Sequence, residues 1–596
     1  MTKLILFFLL SSLTYGQTNT YNVSFENPVH HEAFININFP NLRNNNLTVM
    51  MSRSSPGRYA LHEFAKNVYN LRATNSKGEI LKVDRPDPYS WEIKGHDGTV
   101  NLSYTLFANR ADGTYSQVDE THAHLNIPAT FMYAKDLEHR PIEINFNTPQ
   151  HLNWKIATQL KELGLDTYYA PDLYYFMDSP IEISNFDLQE FEINGQIIRF
   201  ALHHQGSRED FNQYFEQVKR IVEQEKIVFG ELPNYDFGKY TFLACYMPNV
   251  SGDGMEHRNS TVLTDMTSLV NGGMKENIGT VSHEFFHSWN VERIRPSSLE
   301  PFDFSKANMS GSLWFAEGFT SYYTNLILCR AKIISPEEYV ESLNKNFNSV
   351  WNSPARAYFN PIEMSYQAPF VDAATSIDPV NRENTFISYY SYGSILGLAL
   401  DLNLREKGQT LDDFMNLMWL TFGKNEISYT LQDLQKTLGT FAGETFASHF
   451  FNNYIFKSEM PDYKKLFDSV GLSIIQKKTK PYFGAPLKDS ENTVVLSGNP
   501  YKNSPAYNAL LSYGDELKSI DTTILSNMDD WKAIVKNKRP GDIVEIRYLR
   551  NGIEKKTFLS FSEDQTYSIS INNNANKAAI ERRQNWLKSG GNSNKI

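Results

Sequence analysis

The stretch HEFFHSWNVERIRP, residues 283–296, decides how the catalytic part of the chain folds. Apolar side chains recur around it at helical spacing, at Ile278, Val281, Phe285 and Trp289. On a helix, His283 and His287 lie one turn apart on the same face, a spacing that a tetrahedral zinc ion accepts. Glu284 lies beside them, where a carboxylate can take a proton from water acidified by the metal. The motif therefore predicts a zinc hydrolase.

A third zinc ligand is expected downstream, in SLWFAEGFTSYY, residues 312–323. Glu317 lies there among aromatic and small residues, and a buried charge needs a partner, which a metal would provide. The alternatives are an exposed helix carboxylate at Glu317 and a pair of structural core histidines at His283 and His287. We expect one zinc ion per chain, held by these three side chains, with a fourth position open for water or substrate.

The N-terminal residues 1–16 have the layout of a signal peptide, with Lys3 followed by an apolar run from Leu4 to Leu10. A buried N-terminal helix or strand is the alternative, since this run is too short to cross a bilayer. We expect an exported protein, periplasmic or extracellular, without a membrane span. The two cysteines, Cys245 and Cys329, are too few for a disulfide framework.

The formal net charge of −11 is spread along the chain without a long basic block, which argues against nucleic acid as a partner. The 596 residues predict several domains in a multidomain α+β fold. Residues 17–165 are expected to form a β-sandwich, because Val100, Leu102, Tyr104 and Leu106 alternate with polar residues. Residues 166–475 form the catalytic domain, where Ser207 is expected to cap a long helix through Asp210. A small β-rich domain follows at 480–565, and a polar tail at 566–596 is expected to be a solvated helix or a disordered end.

Three motifs together resemble the glycyl aminopeptidase family of gluzincin metallopeptidases: HEFFHSWNVERIRP, WFAEGFTSYY at 314–323 and SPGRYALHEF at 55–64. The resemblance implies a thermolysin-like catalytic module, with α/β and helical parts, that removes N-terminal residues from peptides. It also implies a preference for small residues such as Gly and Ala.

Two further segments resemble substrate-binding parts of that family. In GDGMEHRNS, residues 252–260, Glu256 matches the glutamate that binds the substrate's free amine, and His257 is expected to shape that site. In ISYYSYGSILGLALDLNLR, residues 387–405, Tyr390 matches the tyrosine that stabilises the oxyanion. Tyr392 stands where the family usually has lysine. Aromatic packing is the alternative interpretation of these tyrosines, and a surface carboxylate that of Glu256.

The segments 503–523 and 538–552 resemble a bacterial PDZ domain. Such a domain implies a peptide partner, bound through its C-terminus or as an added strand, with residues 482–485 as the expected carboxylate loop. A β-domain without any ligand is the alternative.

The sequence therefore predicts an exported zinc aminopeptidase. Two other functions remain open. A zinc endopeptidase would use the same metal centre without depending on Glu256. A non-catalytic protein would bind peptides through the PDZ-like domain and keep the metal site for structure alone.

Overall fold

A computed structural model of the chain describes residues 17–371 and 378–588. The predicted signal peptide, residues 1–16, lies outside the described residues. The chain divides into two compact units, Met1–Met309 with Met418–Tyr429, and Ser310–Leu417 with Thr430–Ile596.

The first unit begins with a β-rich region. Its strands are β1 (Asn19–Asn27), β2 (Glu32–Phe39), β3 (Asn46–Met50), β4 (Val68–Thr74), β5 (Lys82–Asp87), β6 (Ser90–Lys94), β7 (Val100–Phe107), β8 (Gln117–Val118), β9 (His122–Leu125), β10 (Ile142–Asn147), β11 (Lys155–Thr158), β12 (Lys161–Gly164), β13 (Thr167–Ala170) and β14 (Ile181–Ser184). Two short helices accompany them, α1 (Ile127–Thr130) and α2 (Leu173–Met177).

These strands form a seven-stranded sheet in the order β12-β13-β10-β1-β2-β7-β4, a three-stranded sheet β3-β6-β5 and a four-stranded sheet β11-β14-β9-β8. Their buried faces share one hydrophobic core, to which Ile35 of β2, Val49 of β3 and Ile183 of β14 contribute. The alternation predicted for β7 is confirmed, since Val100, Leu102, Tyr104 and Leu106 are all buried.

A mixed sheet follows in the same unit. It contains β15 (Asp187–Ile193), β16 (Gln196–His204), β17 (Lys239–Tyr246), β18 (Asp253–His257) and β19 (Ser260–Asp265), with helices α3 (Arg208–Phe229), α4 (Gly273–Glu276) and α5 (Ile278–Phe286). The order is β15-β16-β17-β19-β18, which places β18 at the edge. The predicted cap of α3 is confirmed, because Ser207 and Asp210 form a reciprocal capping box.

Helices dominate the next part of the chain: α6 (Leu313–Arg330), α7 (Pro336–Trp351), α8 (Pro361–Ser365), α9 (Ala368–Val371), α10 (Arg382–Thr385), α11 (Tyr389–Glu406), α12 (Leu411–Thr421), α13 (Leu431–Ala442), α14 (Glu444–Phe450), a π-helical turn (Phe451–Ile455) and α15 (Tyr463–Ser469). Helices α6 and α11 cross in backbone contact at Gly318 and Gly393, where a Cβ on either glycine would overlap the other helix.

The second unit ends in a β-rich region. Its strands are β20 (Leu472–Gln476), β21 (Pro481–Tyr482), β22 (Leu487–Ser490), β23 (Thr493–Leu496), β24 (Glu516–Ile520), β25 (Thr523–Ile524), β26 (Ile543–Arg550), β27 (Ile553–Ser560), β28 (Ser562–Glu563) and β29 (Tyr567–Ile571), with helices α16 (Pro505–Asn508), α17 (Met528–Val535) and α18 (Lys577–Leu587). The PDZ-like part has its own hydrophobic core, in which Trp531 packs on Phe483. The multidomain α+β fold class is thereby confirmed.

The residues after 565 differ from the expected solvated tail. Strand β29 pairs with β20 along its whole length, so the chain returns to the helical part after the PDZ-like domain. In α18 the side chain of Trp586 is fully buried, and its indole N–H donates to the Tyr322 hydroxyl at 2.9 Å. The described residues at this end form a helix, as one of the two expectations had it, and a buried tryptophan anchors this largely polar helix.

Candidate active site

Helix α5 carries the two predicted zinc-binding histidines on one face. The ring centroids of His283 and His287 are 4.9 Å apart. His287 follows the last residue of α5 but keeps helical backbone angles, φ −65° and ψ −16°, which preserves the spacing of one turn. Its Nδ1 donates to the backbone oxygen of Asn290 at 2.5 Å, which makes Nε2 the nitrogen that can bind a metal. Such a backbone bond to the second ring nitrogen is typical of metal-ligating histidine, so the pair fits zinc.

Two buried carboxylates lie next to His287. One ligand atom from each of Glu256, Glu284 and His287 lies within 4.8 Å of the other two. Glu284 comes from α5 and Glu256 from the edge strand β18, and both are less than a tenth exposed. The approach of the strand to the helix requires Gly254, because a Cβ there would overlap the Glu284 carboxylate. The predicted general base and the predicted amine-binding residue therefore share one buried site.

The motif SPGRYALHEF packs directly behind Glu256. Gly57 has a left-handed φ of 76°, and a Cβ on it would lie 2.9 Å from Glu256 Oε2. The next residue, Arg58, forms an ion pair with Asp253, the first residue of β18. The Asp253 carboxylate also accepts from the backbone N–H of Gly113 at 3.0 Å. Two loops of the N-terminal β-rich region thus fix the position of the Glu256 strand.

His257 is buried at the end of β18 and is held by Asp178. Its Nδ1 bonds to Asp178 Oδ1 at 2.9 Å, and the second carboxylate oxygen accepts from the backbone N–H of Arg258 at 2.9 Å. The other ring nitrogen, Nε2, is buried and has no hydrogen-bond partner within the described part of the chain. His257 is therefore a buried residue and not an exposed turn residue.

Glu292 is a buried carboxylate that the sequence did not single out. Burial raises its pKa to about 8, and the negative charges of Asp178 and Glu256 add to that rise. The residue lies within the motif NVERIRP, but its proximity to the other acids depends on the turn after α5, which motif spacing does not reveal.

Glu317 and Tyr390 lie in the second unit, on the two helices that cross at the glycine pair. Glu317, on α6, is 2% exposed. Tyr390 lies in the first turn of α11, half-buried, and its ring stacks on Tyr389 with centroids 4.7 Å apart. Tyr392, the departure from the family pattern, is a fully buried core side chain.

The first unit thus brings together His283, His287, Glu284 and Glu256. Glu317 and Tyr390 belong to the other unit, so their participation in the site stays a prediction.

Three protein-family models match the chain. The M61 peptidase N-terminal domain matches residues 20–185, the M61 glycyl aminopeptidase model residues 276–396, and a PDZ domain residues 481–560. The second match includes the zinc-helix motif, Glu317 and Tyr390.

The fold has a solved counterpart in an aminopeptidase N family protein from Idiomarina loihiensis. The two chains are 23% identical, with a TM-score of 0.86 over 96% of this chain and 100% of the other. A leucine aminopeptidase 2 from Neurospora crassa is 32% identical over 110 residues, which is 18% of this chain and 14% of that protein. The chain therefore matches only a small part of that curated relative.

A helix that presents two histidines and a glutamate at zinc-ligand spacing, within an α+β domain, defines a metallopeptidase. The matches to the M61 N-terminal, M61 glycyl aminopeptidase and PDZ domain models confirm the predicted resemblance. No described helix is both long enough and apolar enough to cross a bilayer.

Proposed function

We propose that this protein is a zinc aminopeptidase that removes N-terminal residues, preferentially Gly and Ala, from peptides after export. The observation that carries the proposal is the position of Glu256, a second buried carboxylate within 4.8 Å of Glu284 and His287. Hydrolysis alone requires one general base. An additional carboxylate beside it has the right charge and distance to bind the free ammonium group of a substrate, which an endopeptidase does not need.

His283, His287 and Glu317 would hold one zinc ion in this site. When bound, zinc supplies Lewis-acid polarisation of the scissile carbonyl and acidifies water near neutral pH. Glu317 supports this assignment because it is a buried carboxylate on α6, 2% exposed, within the segment matched by the M61 glycyl aminopeptidase model.

Glu284 would accept a proton from the attacking water and deliver it to the leaving amine. Its carboxylate lies at the buried face of α5, one residue from His283, so it can reach the reacting atoms without leaving the helix. Contact with Gly254 restricts the carboxylate to this position, which lowers the cost of orienting it during the reaction.

Glu256 would bind the substrate ammonium and so place the first peptide bond over the base. Strand β18 is the free edge of its sheet, so an extended peptide can add to it as a further strand. Glu292 would balance the charge, since the incoming ammonium favours loss of the Glu292 proton. Tyr390 would donate its hydroxyl hydrogen to the oxyanion as negative charge develops.

Residues 1–16 and the PDZ-like domain have roles outside the active site. Residues 1–16 would act as the signal peptide that places the enzyme in the periplasm or outside the cell. The PDZ-like domain would bind the C-terminus or an extended segment of a peptide. The preference for Gly is supported by the match to the M61 glycyl aminopeptidase model, and its extension to Ala by the family resemblance of the sequence motifs.

The test compares glycine and alanine amides with their N-acetylated forms. The wild-type enzyme should hydrolyse only the free amines. Glu256→Gln, which removes the charge but keeps the shape, should lower kcat/KM on free amines roughly 10- to 100-fold, as expected for a charge-assisted hydrogen bond worth about 1.5–3 kcal/mol. Glu209→Gln, on the exposed start of α3, is the matched control and should behave as wild type. Equal rates on free and acetylated substrates would make the protein an endopeptidase.

A further inference from the structure

Four potential metal ligands converge in the first unit, outside the residues of the candidate active site. They are His122 on β9, Glu182 on β14, His203 on β16 and Cys245 on β17. One ligand atom from each lies within 4.8 Å of all the others. None is more than 8% exposed. No sequence motif marks this cluster, because its members are far apart along the chain.

The strands bring these side chains together in pairs. His203 and Cys245 are direct partners on the parallel strands β16 and β17. Glu182 and His122 lie on the antiparallel pair β14 and β9, where Glu182 is opposite His124 and two residues from the partner of His122. Residues spaced by two point to the same face of a strand. The four-stranded sheet and the mixed sheet therefore supply two ligands each.

Four of the six distances between the ligand atoms are close to the edges of a tetrahedron around zinc, and the other two are within 4.8 Å. Glu182 Oε1 lies 3.3 Å from His122 Nδ1 and 3.6 Å from His203 Nδ1. Cys245 Sγ lies 3.7 Å from His122 Nδ1 and 3.3 Å from His203 Nδ1. Zinc bonds of about 2.0–2.1 Å to N or O and about 2.3 Å to S give ligand separations of roughly 3.3–3.6 Å. Charge-assisted hydrogen bonds are shorter, at about 2.7–2.9 Å.

The hydrogen bonds of Gln117 set the tautomer of His122. The Gln117 amide nitrogen donates to Asn109 Oδ1 and to the backbone oxygen of Asn249, both at 3.3 Å, which fixes the amide orientation. The Gln117 oxygen, 3.0 Å from His122 Nε2, must then accept from it. In the neutral ring, Nδ1 therefore directs a lone pair at the Glu182 carboxylate oxygen. Two electron-rich atoms at this distance require a cation between them, either a proton or a metal ion.

A second layer of contacts orients the carboxylate. Glu182 Oε2 lies 3.1 Å from His124 Nδ1, and His124 Nε2 donates to the backbone oxygen of Asp112 at 2.9 Å. Oε1 is thereby directed at the centre of the cluster. Hydrogen bonds behind each ligand, as seen here for Glu182 and His122, are typical of metal sites.

We propose that His122, Glu182, His203 and Cys245 bind a second, structural zinc ion. Two imidazole nitrogens, one carboxylate oxygen and one thiolate sulfur form a closed tetrahedral set, and four protein ligands leave no position for substrate. Binding replaces the S–H bond of Cys245 by a sulfur–zinc bond and releases the proton to solvent. The ion links the four-stranded sheet to the mixed sheet that carries Glu256. This site does not depend on the proposed peptidase activity.

Metal content and a cobalt spectrum of the full chain test the proposal. Elemental analysis after zinc loading should give about two zinc ions per wild-type chain, one in Cys245→Ala and one in His283→Ala. Cys329→Ala, the matched control at the other buried free cysteine, should keep two. In the cobalt-substituted protein a thiolate-to-metal charge-transfer band should appear in the near ultraviolet, persist in His283→Ala and Cys329→Ala, and be absent in Cys245→Ala.

Measurements on the wild-type protein and on His283→Ala test the proposal even if Cys245→Ala does not fold. A cobalt-loaded wild type without the thiolate band, or a His283→Ala protein without any bound metal, would overturn the proposal. Either result would show that a proton shared by His122 and Glu182 holds the cluster together.

Discussion

Trp586 fixes the C-terminal helix to the helix that carries Glu317, so removal of the chain end should destabilise the second unit. The fully buried Trp586 donates to Tyr322 on α6 at 2.9 Å, and its backbone oxygen accepts from Arg330 of the same helix at 3.2 Å. A buried Trp→Ala change costs about 3–5 kcal/mol. Trp586→Phe keeps most of the packing but loses the hydrogen bond to Tyr322, which should lower the free energy of unfolding by about 1 kcal/mol. Truncation after Lys480 loses the tryptophan and also strand β29.

Chemical denaturation measures the loss of stability, and hydrolysis of glycine amides measures the loss of activity. Trp586→Ala should unfold at clearly lower denaturant than Trp586→Phe, and truncation after Lys480 should lower the midpoint further and reduce activity. Excision of residues 481–563 is the control, because the flanking ends meet where Asp564 N–H donates to the Lys480 oxygen at 3.0 Å. That variant, and Trp531→Ala within the PDZ-like core, should keep amide hydrolysis. A truncated enzyme as stable and active as the full chain would refute the reasoning.

Three further outcomes test the site. Chelation should abolish activity and added Zn²⁺ should restore it, and full activity in metal-free protein would contradict the assignment of the ligands. Glu284→Gln should keep its fold and bound zinc but lose roughly 10²- to 10⁴-fold in kcat, so near-normal turnover would exclude Glu284 as the base. Glu292 binds its proton more tightly in the folded state than in the unfolded state. Its contribution to the free energy of unfolding should therefore fall as the pH rises from the ordinary pKa of glutamate towards about 8. Glu292→Gln should therefore show a smaller loss of thermal stability between about pH 6 and pH 9 than wild type, and identical slopes would refute the raised pKa.

Much of the fold could be predicted from periodicity. Alternation along β7 and the Ser207 capping box are local signals, and both elements form as expected. The end of the chain could not be predicted in this way. Residues after 565 are polar on average, and composition does not show that a single tryptophan is buried against Tyr322. Packing against a distant helix decides the structure of α18, and local propensity does not.

Some residues of the candidate site could likewise be predicted from local spacing, and others could not. His283, Glu284 and His287 lie within one helical turn of each other, so their spacing alone predicts their common face. Glu256 was found only through family resemblance, because no local pattern shows that an edge strand approaches α5. The cluster of His122, Glu182, His203 and Cys245 had no signal at all, since strand pairing across two sheets creates it.

The contacts of two glycines connect the motif SPGRYALHEF, residues 55–64, with the zinc-helix motif HEFFHSWNVERIRP, residues 283–296. Gly57 packs against strand β18 and Gly254 lies within it, and a Cβ on these glycines would meet the carboxylates of Glu256 and Glu284, respectively. A side chain at either position would displace the carboxylate that it meets. The proposed substrate-ammonium site therefore involves both the β-rich region and the zinc helix. A change at Gly57, some two hundred residues before Glu256 in sequence, should alter recognition of the free amine while leaving the histidine pair intact.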